Sequence, residues 1–364
     1  MLVREKLIVA VSIVWFSAGL IGCQPKTLAD AGSVPKDNSV TIMSFNVENL
    51  FDNNDDPKKI DNTFLALDDK QSDQHKTECG EIPVDRWRDQ CLYWDWNDEI
   101  IDKKLRVIAA AILQVDDGRG PDIIALQEVE NIAILERLRK DYLGVANYRP
   151  AILIEGHDAR GIDVAFLSRL PLADQAQLHP FPKEGLDEKR YGDTRGILEA
   201  TFLIPDGSLL TGFSVHFPAP FHPTEMRVTA YEQLNELKSR LPADRAVFAA
   251  GDFNTTSRED SEKNMLQRFA RPLWTVVHDA GCVDCRGTQY YARDDSWSYL
   301  DMILWSPAKK SGEKATWSIR AGSFAIANGS PDQITADGGP ARFEMPGGAG
   351  TSDHWPVVFT LELK

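Results

Sequence analysis

Polar side chains suited to metal and phosphate chemistry adjoin five apolar stretches of this chain. Near the C-terminus, Asp353 and His354 lie on a short turn before the apolar run 355–361. A carboxylate beside an imidazole at the end of a buried strand is typical of metal-assisted acid/base chemistry. Four earlier apolar runs also end in such residues, namely Asn46, Gln127 with Glu128, His216, and Asp252 with Asn254. Because all five stretches share this pattern, Asp353 and His354 are stronger candidates for a functional site than they would be alone.

The elements that must position these residues alternate between strand and helix patterns. Helical spacing begins at Asn97 and continues to Val115, and an Asp206-Gly207 turn joins two strand-like runs into a hairpin. A later strand-like run carries Asp301. The other predicted elements are strands at 40–45, 123–126 and 246–250 and helices at 131–139 and 224–237. The alternation predicts an α/β layered protein, with residues 40–364 as one domain.

A long segment, 53–96, interrupts this pattern and is predicted to be an irregular insertion. The acidic run 52–56 at its start could hold a structural calcium ion, but it lacks the Gly and Glu of a calcium-loop pattern. A solvated loop is therefore favoured. The aromatic residues of the insertion could line a lipid-binding surface or pack beneath the loop; they are Trp87, Tyr93, Trp94 and Trp96.

The first 22 residues have the features of an export signal. Arg4 and Lys6 precede an apolar run, 7–20, that is too short to span a membrane. The Leu-Ile-Gly-Cys sequence ending at Cys23 resembles a bacterial lipoprotein signal, in which Cys23 becomes the lipidated first residue. An uncleaved anchor helix and an ordinary secretory signal are the alternatives. Residues 23–39 are predicted to be a tether, and the absence of Asp after Cys23 favours the outer membrane in a host with two membranes.

Four further cysteines are an even number in an exported chain, which suggests disulfides. The local pairing is Cys79 with Cys91 and Cys282 with Cys285, one of three possible pairings. Zinc is disfavoured because only the second pair has metal-knuckle spacing and no histidine follows the first pair at ligand distance.

The formal net charge of −15 counts modestly against tight binding to nucleic acid or anionic lipid. It does not count against metal-dependent turnover, because a divalent cation offsets repulsion between two anions.

Seven motifs in order resemble the endonuclease/exonuclease/phosphatase superfamily, which has the DNase I-like fold. Each is common alone, but the ordered set spans nearly the whole chain after the tether. The motifs are Ser44-Phe45-Asn46-Val47, Gln127-Glu128-Val129, Asp163 in Gly-x-Asp-Val-Ala, Ser214-Val215-His216, Gly251-Asp252-Phe253-Asn254, Leu300-Asp301 and Ser352-Asp353-His354. The resemblance implies a four-layered α/β/β/α sandwich and cleavage of phosphoester bonds with Mg²⁺ or Mn²⁺. Oxygen donors independently suit such hard cations.

The resemblance also assigns roles at the metal and at the water. Glu128 matches the principal metal ligand, and Asn46 matches an Asn that ligates through its amide oxygen or positions phosphate. Asp353 is a further candidate ligand. Asp252 matches a carboxylate that orients water or binds a second metal, and Asn254 matches a donor to phosphate oxygens.

Two histidines complete the expected acid/base machinery. His354 matches a general base or, when protonated, a stabiliser of the phosphorane, with Asp301 fixing its tautomer. His216 matches a leaving-group acid. Arg160 and Arg195 each adjoin a glycine at a strand start, from where a guanidinium can reach phosphate, and Asp163 is either structural or a phosphate contact.

The substrate is the open question at this stage. The chain lacks long Lys/Arg runs, and Glu130-Asn131 stands where minor-groove-reading nucleases carry an Arg, which argues against duplex DNA. The leading hypothesis is a monomeric, surface-anchored Mg²⁺-dependent nuclease. A phosphoesterase of a lipid or small molecule is the alternative, and an inactive surface binding protein is a second one.

Overall fold

Two β-sheets carry the strands that end in these polar residues. The computed structural model describes residues 38–282, 285–309 and 316–364. The strands are β1 (Ser39–Leu50), β2 (Ile123–Val129), β3 (Ile152–Leu153), β4 (Asp163–Ser168), β5 (Gln177–His179), β6 (Ile197–Leu203), β7 (Leu209–His216), β8 (Ala246–Asp252), β9 (Thr275–Val276), β10 (Gln289–Tyr291), β11 (Ser296–Ser298), β12 (Asp301–Ser306), β13 (Trp317–Ile319), β14 (Ala325–Ile326) and β15 (Val357–Leu363). The predicted signal segment, Cys23 and nearly all of the predicted tether lie outside the described residues.

Seven α-helices accompany these strands in the described part of the chain. They are α1 (Asp73–Gly80), α2 (Asp85–Tyr93), α3 (Asp98–Leu113), α4 (Ile132–Arg137), α5 (Glu188–Tyr191), α6 (Thr224–Arg240) and α7 (Ser257–Lys263). None of the helices described is both long and apolar enough to cross a membrane.

The first sheet has the order β13-β15-β1-β2-β4-β3, with β14 beside β15, and the second has the order β5-β6-β7-β8-β12-β9. Side chains alternate between the two faces of each strand. Ile42 of β1 and Phe248 of β8 point into the core between the sheets, whereas Met43 of β1 and Val247 of β8 point outward. Both faces of each sheet are therefore buried, and the strands read as continuous apolar runs.

Helices cover the two outward faces. Ile101 and Leu105 of α3 pack on the outer face of the first sheet, and Met226 and Leu234 of α6 pack on the outer face of the second. The Asn97 side chain accepts a hydrogen bond from the Ile100 N–H and so begins α3 where the sequence predicts it. The result is the four-layered α/β/β/α sandwich, and this prediction is confirmed.

Each sheet contains one parallel pair of neighbouring strands. β1 runs parallel to β2 with Asn46 opposite Gln127, and β7 runs parallel to β8 with His216 opposite Asp252. Parallel neighbours end at the same edge of a sheet, so the polar residues that follow each strand are brought together.

The prediction that 53–96 is irregular is wrong in part, because this insertion contains α1 and α2. The Ser72 side chain caps α1 by accepting a hydrogen bond from the His75 N–H. Few residues of α1 and α2 are buried, so the sequence of these helices shows no apolar period. Disulfides join Cys79 to Cys91 and Cys282 to Cys285. Within the insertion Trp96 is buried, whereas Trp87 and Tyr93 are exposed.

Gly212 of β7 lies where no side chain fits. A Cβ atom at this position would come within 2.3 Å of the Phe248 ring on the adjacent strand. Gly212→Ala is therefore expected to lower the free energy of unfolding by about 1–3 kcal/mol through overpacking. Urea unfolding checks this, with Gly144→Ala as control because nothing lies within 4 Å of a Cβ there. Equal stability of the two variants would contradict the packing argument.

Candidate active site

Asn46 lies between two acidic residues that come from different sheets. Its Nδ2 donates to Glu128 Oε1 at 3.3 Å and to Asp252 Oδ2 at 3.1 Å. Its Oδ1 accepts the Glu48 N–H at 3.1 Å. In this arrangement the Asn46 amide nitrogen links the two carboxylates. The amide oxygen keeps a second lone pair, so its predicted role as a metal ligand or in positioning phosphate stays a prediction.

Glu128 reaches the site through an irregularity in β2. The register of β2 shifts between Gln127 and Val129 against β4, and Glu128 has a φ of +63°. Such a backbone conformation is costly for a residue other than glycine and is often found at functional sites. Glu128 Oε2 also accepts the Asn49 N–H at 3.0 Å. The bulge turns the Glu128 side chain toward Asn46. In a regularly pleated strand this side chain would point elsewhere.

His216, Asp252 and Asn254 come from the second sheet. His216 Nε2 lies 3.5 Å from Asp252 Oδ2 and 4.0 Å from Glu128 Oε1. Asp252 Oδ1 accepts the Asn254 N–H at 2.8 Å. Asn254 Nδ2 donates to Phe217 O at 2.9 Å, which leaves its second N–H for a substrate oxygen. The structure thus brings these three predicted residues together with Glu128.

His354 is held by a fully buried carboxylate. Its Nδ1 lies 2.7 Å from Asp301 Oδ2, and its Nε2 faces Asp252 Oδ2 at 4.0 Å. Asp301 is itself opposite Asp252 in the pairing of β12 with β8. The Ser352 Oγ accepts the His354 N–H and donates to Asn46 O, so the C-terminal turn is fastened to β1. The predicted tautomer-fixing contact of Asp301 is present in this arrangement.

The two histidines differ in protonation. Burial tends to lower the pKa of His354, but the charge and hydrogen bond of Asp301 raise it well above 6.5. Burial, together with the positive charge of Arg195, lowers the pKa of His216 well below 6.5. His354 is thus cationic and His216 neutral near pH 7. A neutral imidazole with a low pKa is poorly suited to the leaving-group acid role predicted for His216.

The carboxylates at the site also differ from each other. Burial raises the pKa of Asp252 to about 7, against the opposing charge of His354. Burial likewise tends to raise the pKa of Glu128, but His216 and the guanidinium groups of Arg160 and Arg195 hold it at about 2. Since His216 is neutral near pH 7, the positive charges of Arg160, Arg195 and His354 keep Glu128 ionised there.

Arg160 and Arg195 lie close enough to Glu128 and His216 to change their pKa values. Arg195 is buried and its Nε lies 3.0 Å from Asp158 Oδ2, while Asp158 Oδ1 accepts the Arg160 N–H at 2.9 Å. The buried carboxylate of Asp158 therefore contacts both the Arg195 side chain and the Arg160 backbone. Nothing in the sequence pattern singles out Asp158.

Asp163 does not face this site. Its Oδ1 accepts the Gly156 N–H at 2.9 Å, and the side chain is buried. Of the two predicted roles, the structural one fits this contact. It braces the loop 156–163 that carries Arg160.

Burial raises the pKa of Asp163 from 3.8 to about 7. The folded protein keeps this proton at a pH where the unfolded chain has lost it, so the free energy of unfolding falls as pH rises from about 4 to 7. Asp163→Asn keeps the acceptor and cannot ionise. We expect the variant to exceed the parent in stability at pH 8 by on the order of 2–4 kcal/mol, and to match it near pH 4. Urea unfolding at both pH values tests this, with the exposed turn residue Asp206→Asn as control.

A group of charged residues around Asp353 escaped sequence analysis. Glu48 Oε2 accepts the N–H groups of Asp353 and Phe343, both at 3.1 Å, and its other oxygen pairs with Arg342. Arg342 Nη2 also donates to Asp353 Oδ2 at 2.8 Å. The nearby Lys104 is fully buried and donates to Thr351 O at 2.7 Å. Glu48 directly follows the Asn46 motif, which is the one signal that could have identified it.

The family model of the "Endonuclease/Exonuclease/phosphatase family" matches residues 101–354, well over half of the chain. The chain belongs to this family. Endonuclease/exonuclease/phosphatase proteins are hydrolytic phosphoesterases in general, and they commonly use divalent metals such as Mg²⁺. A comparison with curated proteins finds no match.

Solved structures share the fold of this family member at low sequence identity. Humanized D. rerio TDP2 with 14 mutations is 16% identical, with a TM-score of 0.54 over 89% of this chain and 99% of that one. A Bacteroides vulgatus endonuclease/exonuclease/phosphatase is 16% identical, with a TM-score of 0.52 over 90% and 99% of the two chains. D. rerio TDP2 complexed with single strand DNA product is 16% identical, with a TM-score of 0.54 over 90% and 100%.

The donor chemistry of the site fits the divalent metal that the family uses. Glu128 is ionised, and Asp252 and Asp301 place further carboxylate groups within the same buried site. The buried Asp301 Oδ1 has no hydrogen-bond partner in the described residues, and crowded carboxylates of this kind gain from a cation. Oxygen donors of this type suit Mg²⁺ or Mn²⁺. Glu128 would hold the ion. The role of Asp353 as a further ligand stays a prediction, and its Oδ2 already accepts a hydrogen bond from Arg342.

Proposed function

We propose that this protein is a Mg²⁺- or Mn²⁺-dependent phosphodiesterase that cleaves nucleic acid outside the cytoplasm. The observation that supports it best is the convergence of Glu128, Asp252 and two differently protonated histidines on one buried site. A retained set of this kind argues against an inactive binding protein, because a degenerate site loses members.

In this proposal Asp252 orients the attacking water and takes its proton; the bond from phosphorus to the leaving oxygen breaks, and that oxygen takes a proton from solvent. The His354 cation, steadied by Asp301, stabilises negative charge on the phosphorane oxygens, as does the free N–H of Asn254. Neutral His216 donates a hydrogen bond toward Asp252 or a phosphate oxygen. Arg195 and Arg160 attract the phosphate. A divalent cation bound at Glu128 would supply further charge neutralisation.

Nucleic acid is the favoured substrate for two reasons. One structural neighbour is complexed with a single strand DNA product. In this chain, Trp355 follows His354 directly and packs against Trp297 at 5.2 Å between ring centroids, and Trp297 packs against Tyr290 at 5.2 Å. Trp355 is buried, whereas Trp297 and Tyr290 are partly exposed and suit stacking by bases of a single strand.

A lipid phosphoester is the second candidate, and Phe221 favours it. This side chain is 77% exposed in the loop that follows His216. Buried Arg227 donates to the carbonyl oxygens of Ala219 and His222 and so holds that loop rigid. An exposed aromatic ring on a rigid loop beside a catalytic site could enter a lipid surface.

We further propose that the protein is exported and attached to the cell envelope, in the outer membrane of a two-membrane host, through lipidated Cys23. Metabolic labelling with a fatty-acid analogue tests this proposal. Label that persists in a Cys23→Ser variant would contradict it.

The decisive assay uses the chain from Gln24 onward with Mg²⁺, Mn²⁺, Ca²⁺ or EDTA. The substrates are plasmid DNA, single-stranded DNA, RNA, sphingomyelin vesicles and phosphoinositides, with His354→Ala as control. We expect metal-dependent cleavage of nucleic acid that the variant lacks, and the product ends then distinguish endonuclease from exonuclease action. Turnover of lipid without cleavage of nucleic acid would overturn the nuclease proposal in favour of the second candidate.

A further inference from the structure

The disulfide of the insertion has a histidine directly against it. His75 and Cys79 are four residues apart on α1 and therefore lie on the same helix face. His75 Nε2 is 3.2 Å from Cys79 Sγ and 3.1 Å from Cys91 O. All three side chains are buried, and the one nitrogen and two sulfur atoms lie within 4.8 Å of one another.

This donor set is unlike that of the active site. Imidazole nitrogen and thiolate sulfur select zinc-like ions, whereas the oxygen-rich active site suits Mg²⁺. Tetrahedral zinc with ligand bonds of about 2.0–2.3 Å places its ligand atoms roughly 3.5–4 Å apart. The Cα atoms of Cys79 and Cys91 are 5.6 Å apart, so separate thiolates on α1 and α2 can both reach one ion.

Two of these three residues, His75 and Cys91, border an opening. A cavity of about 780 Å³ in the insertion is lined by His75 and Cys91, and Glu78 lies on its wall. An ion could enter from this side. Water or Glu78 would then complete the fourth position of the tetrahedron.

We propose that His75, Cys79 and Cys91 form a zinc-type site whenever the Cys79–Cys91 bridge is reduced. A dithiol or phosphine reductant supplies two electrons, the S–S bond breaks, and two protons give two thiols. Binding of the divalent cation then releases both thiol protons, and His75 binds through Nε2 with its proton on Nδ1. The bridge and the ion are thus alternative links between α1 and α2.

The sequence pattern concealed this site because the histidine precedes the cysteine pair by one helical turn. A histidine that follows the second cysteine is the usual signal. The inference is independent of the proposed hydrolysis, since it concerns a different part of the fold and a different class of metal.

Cobalt binding tests the proposal directly. The chain from Gln24 onward, which retains every described residue, carries Cys282→Ser and Cys285→Ser so that only one cysteine pair remains. It is titrated anaerobically with Co²⁺ after reduction by a phosphine and, separately, in the oxidised state. We expect one equivalent of Co²⁺ with thiolate charge-transfer absorption in the reduced protein alone. Co²⁺ held by oxygen ligands at Glu128 lacks that absorption.

His75→Ala should weaken this binding at least about tenfold, because it removes one of three protein ligands. The matched control is His278→Ala, which removes a histidine four residues before Cys282 and should change nothing. Circular dichroism follows the fold. A reduced chain that unfolds and then refolds with Zn²⁺ supports the site, whereas one that stays unfolded with Zn²⁺ overturns it. The proposal is also overturned if the reduced protein shows no thiolate charge-transfer absorption with Co²⁺, or if His75→Ala leaves the affinity for Co²⁺ unchanged.

Discussion

His354→Ala is expected to lower kcat about 10³-fold or more while the protein stays folded. The substitution removes the imidazolium that Asp301 orients toward Asp252 at the centre of the site. Charge stabilisation in a buried site commonly contributes effects of this size. Asp301 loses its partner, which should also lower the free energy of unfolding by about 1–3 kcal/mol. Turnover of a small phosphodiester and urea unfolding measure the two effects separately.

His179→Ala is the matched control for that experiment. His179 also pairs with a carboxylate, Glu199 at 2.8 Å, but on an edge strand away from the predicted residues. Its loss should leave kcat within a few-fold of the parent. If His354→Ala also lost only a few-fold, His354 would be peripheral to the reaction.

Glu128→Gln should raise the Mg²⁺ concentration needed for half-maximal activity and lower turnover at saturating Mg²⁺ by about 10²-fold. Glutamine preserves the size of the side chain and can accept the Asn49 N–H, but its amide nitrogen cannot accept from Asn46 Nδ2, so the substitution removes the charge and one hydrogen bond. Activity measured across a Mg²⁺ series and after EDTA treatment tests the prediction.

Glu130→Gln provides the comparison for Glu128. Glu130 lies two residues further along and accepts the Asp52 N–H at 2.7 Å. The Glu130→Gln substitution makes the same chemical change at a residue outside the set at Asn46. Because burial raises the pKa of Glu130 to about 8, this substitution leaves the charge near pH 7 largely unchanged, whereas Glu128→Gln removes a negative charge. Identical Mg²⁺ dependence of parent and Glu128→Gln would refute the metal-ligand role.

The layered fold could be predicted because local patterns carry it. β1, β2 and β8 are continuous apolar runs, since both of their faces are buried, and α3 has a clear amphipathic period with a polar cap. The hairpin of β6 and β7 turns at Gly207, which has a φ of +83°. In each case the residues that decide the structure are neighbours in sequence.

The features of the site that could not be predicted depend on contacts between segments that are distant in the sequence. The bulge that orients Glu128 depends on the pairing of β2 with the strands on both sides, and it could not be predicted from Glu128 itself. The ion pair of Glu48 with Arg342 joins residues 294 apart in the sequence. The opposite protonation of the two histidines likewise arises only in the folded chain, because burial and Arg195 lower the pKa of His216 whereas Asp301 raises the pKa of His354.

β15 lies between β13 and β1 in the first sheet, and it directly follows the turn that carries His354. The turn that carries His354 is therefore tied to β1 by a pairing of residues far apart in the sequence, since Ser44 lies opposite Val357. Loss of β15 would separate His354 from Asn46 and expose the edge of β1. A chain cut before β15 is therefore expected to lack the assembled site.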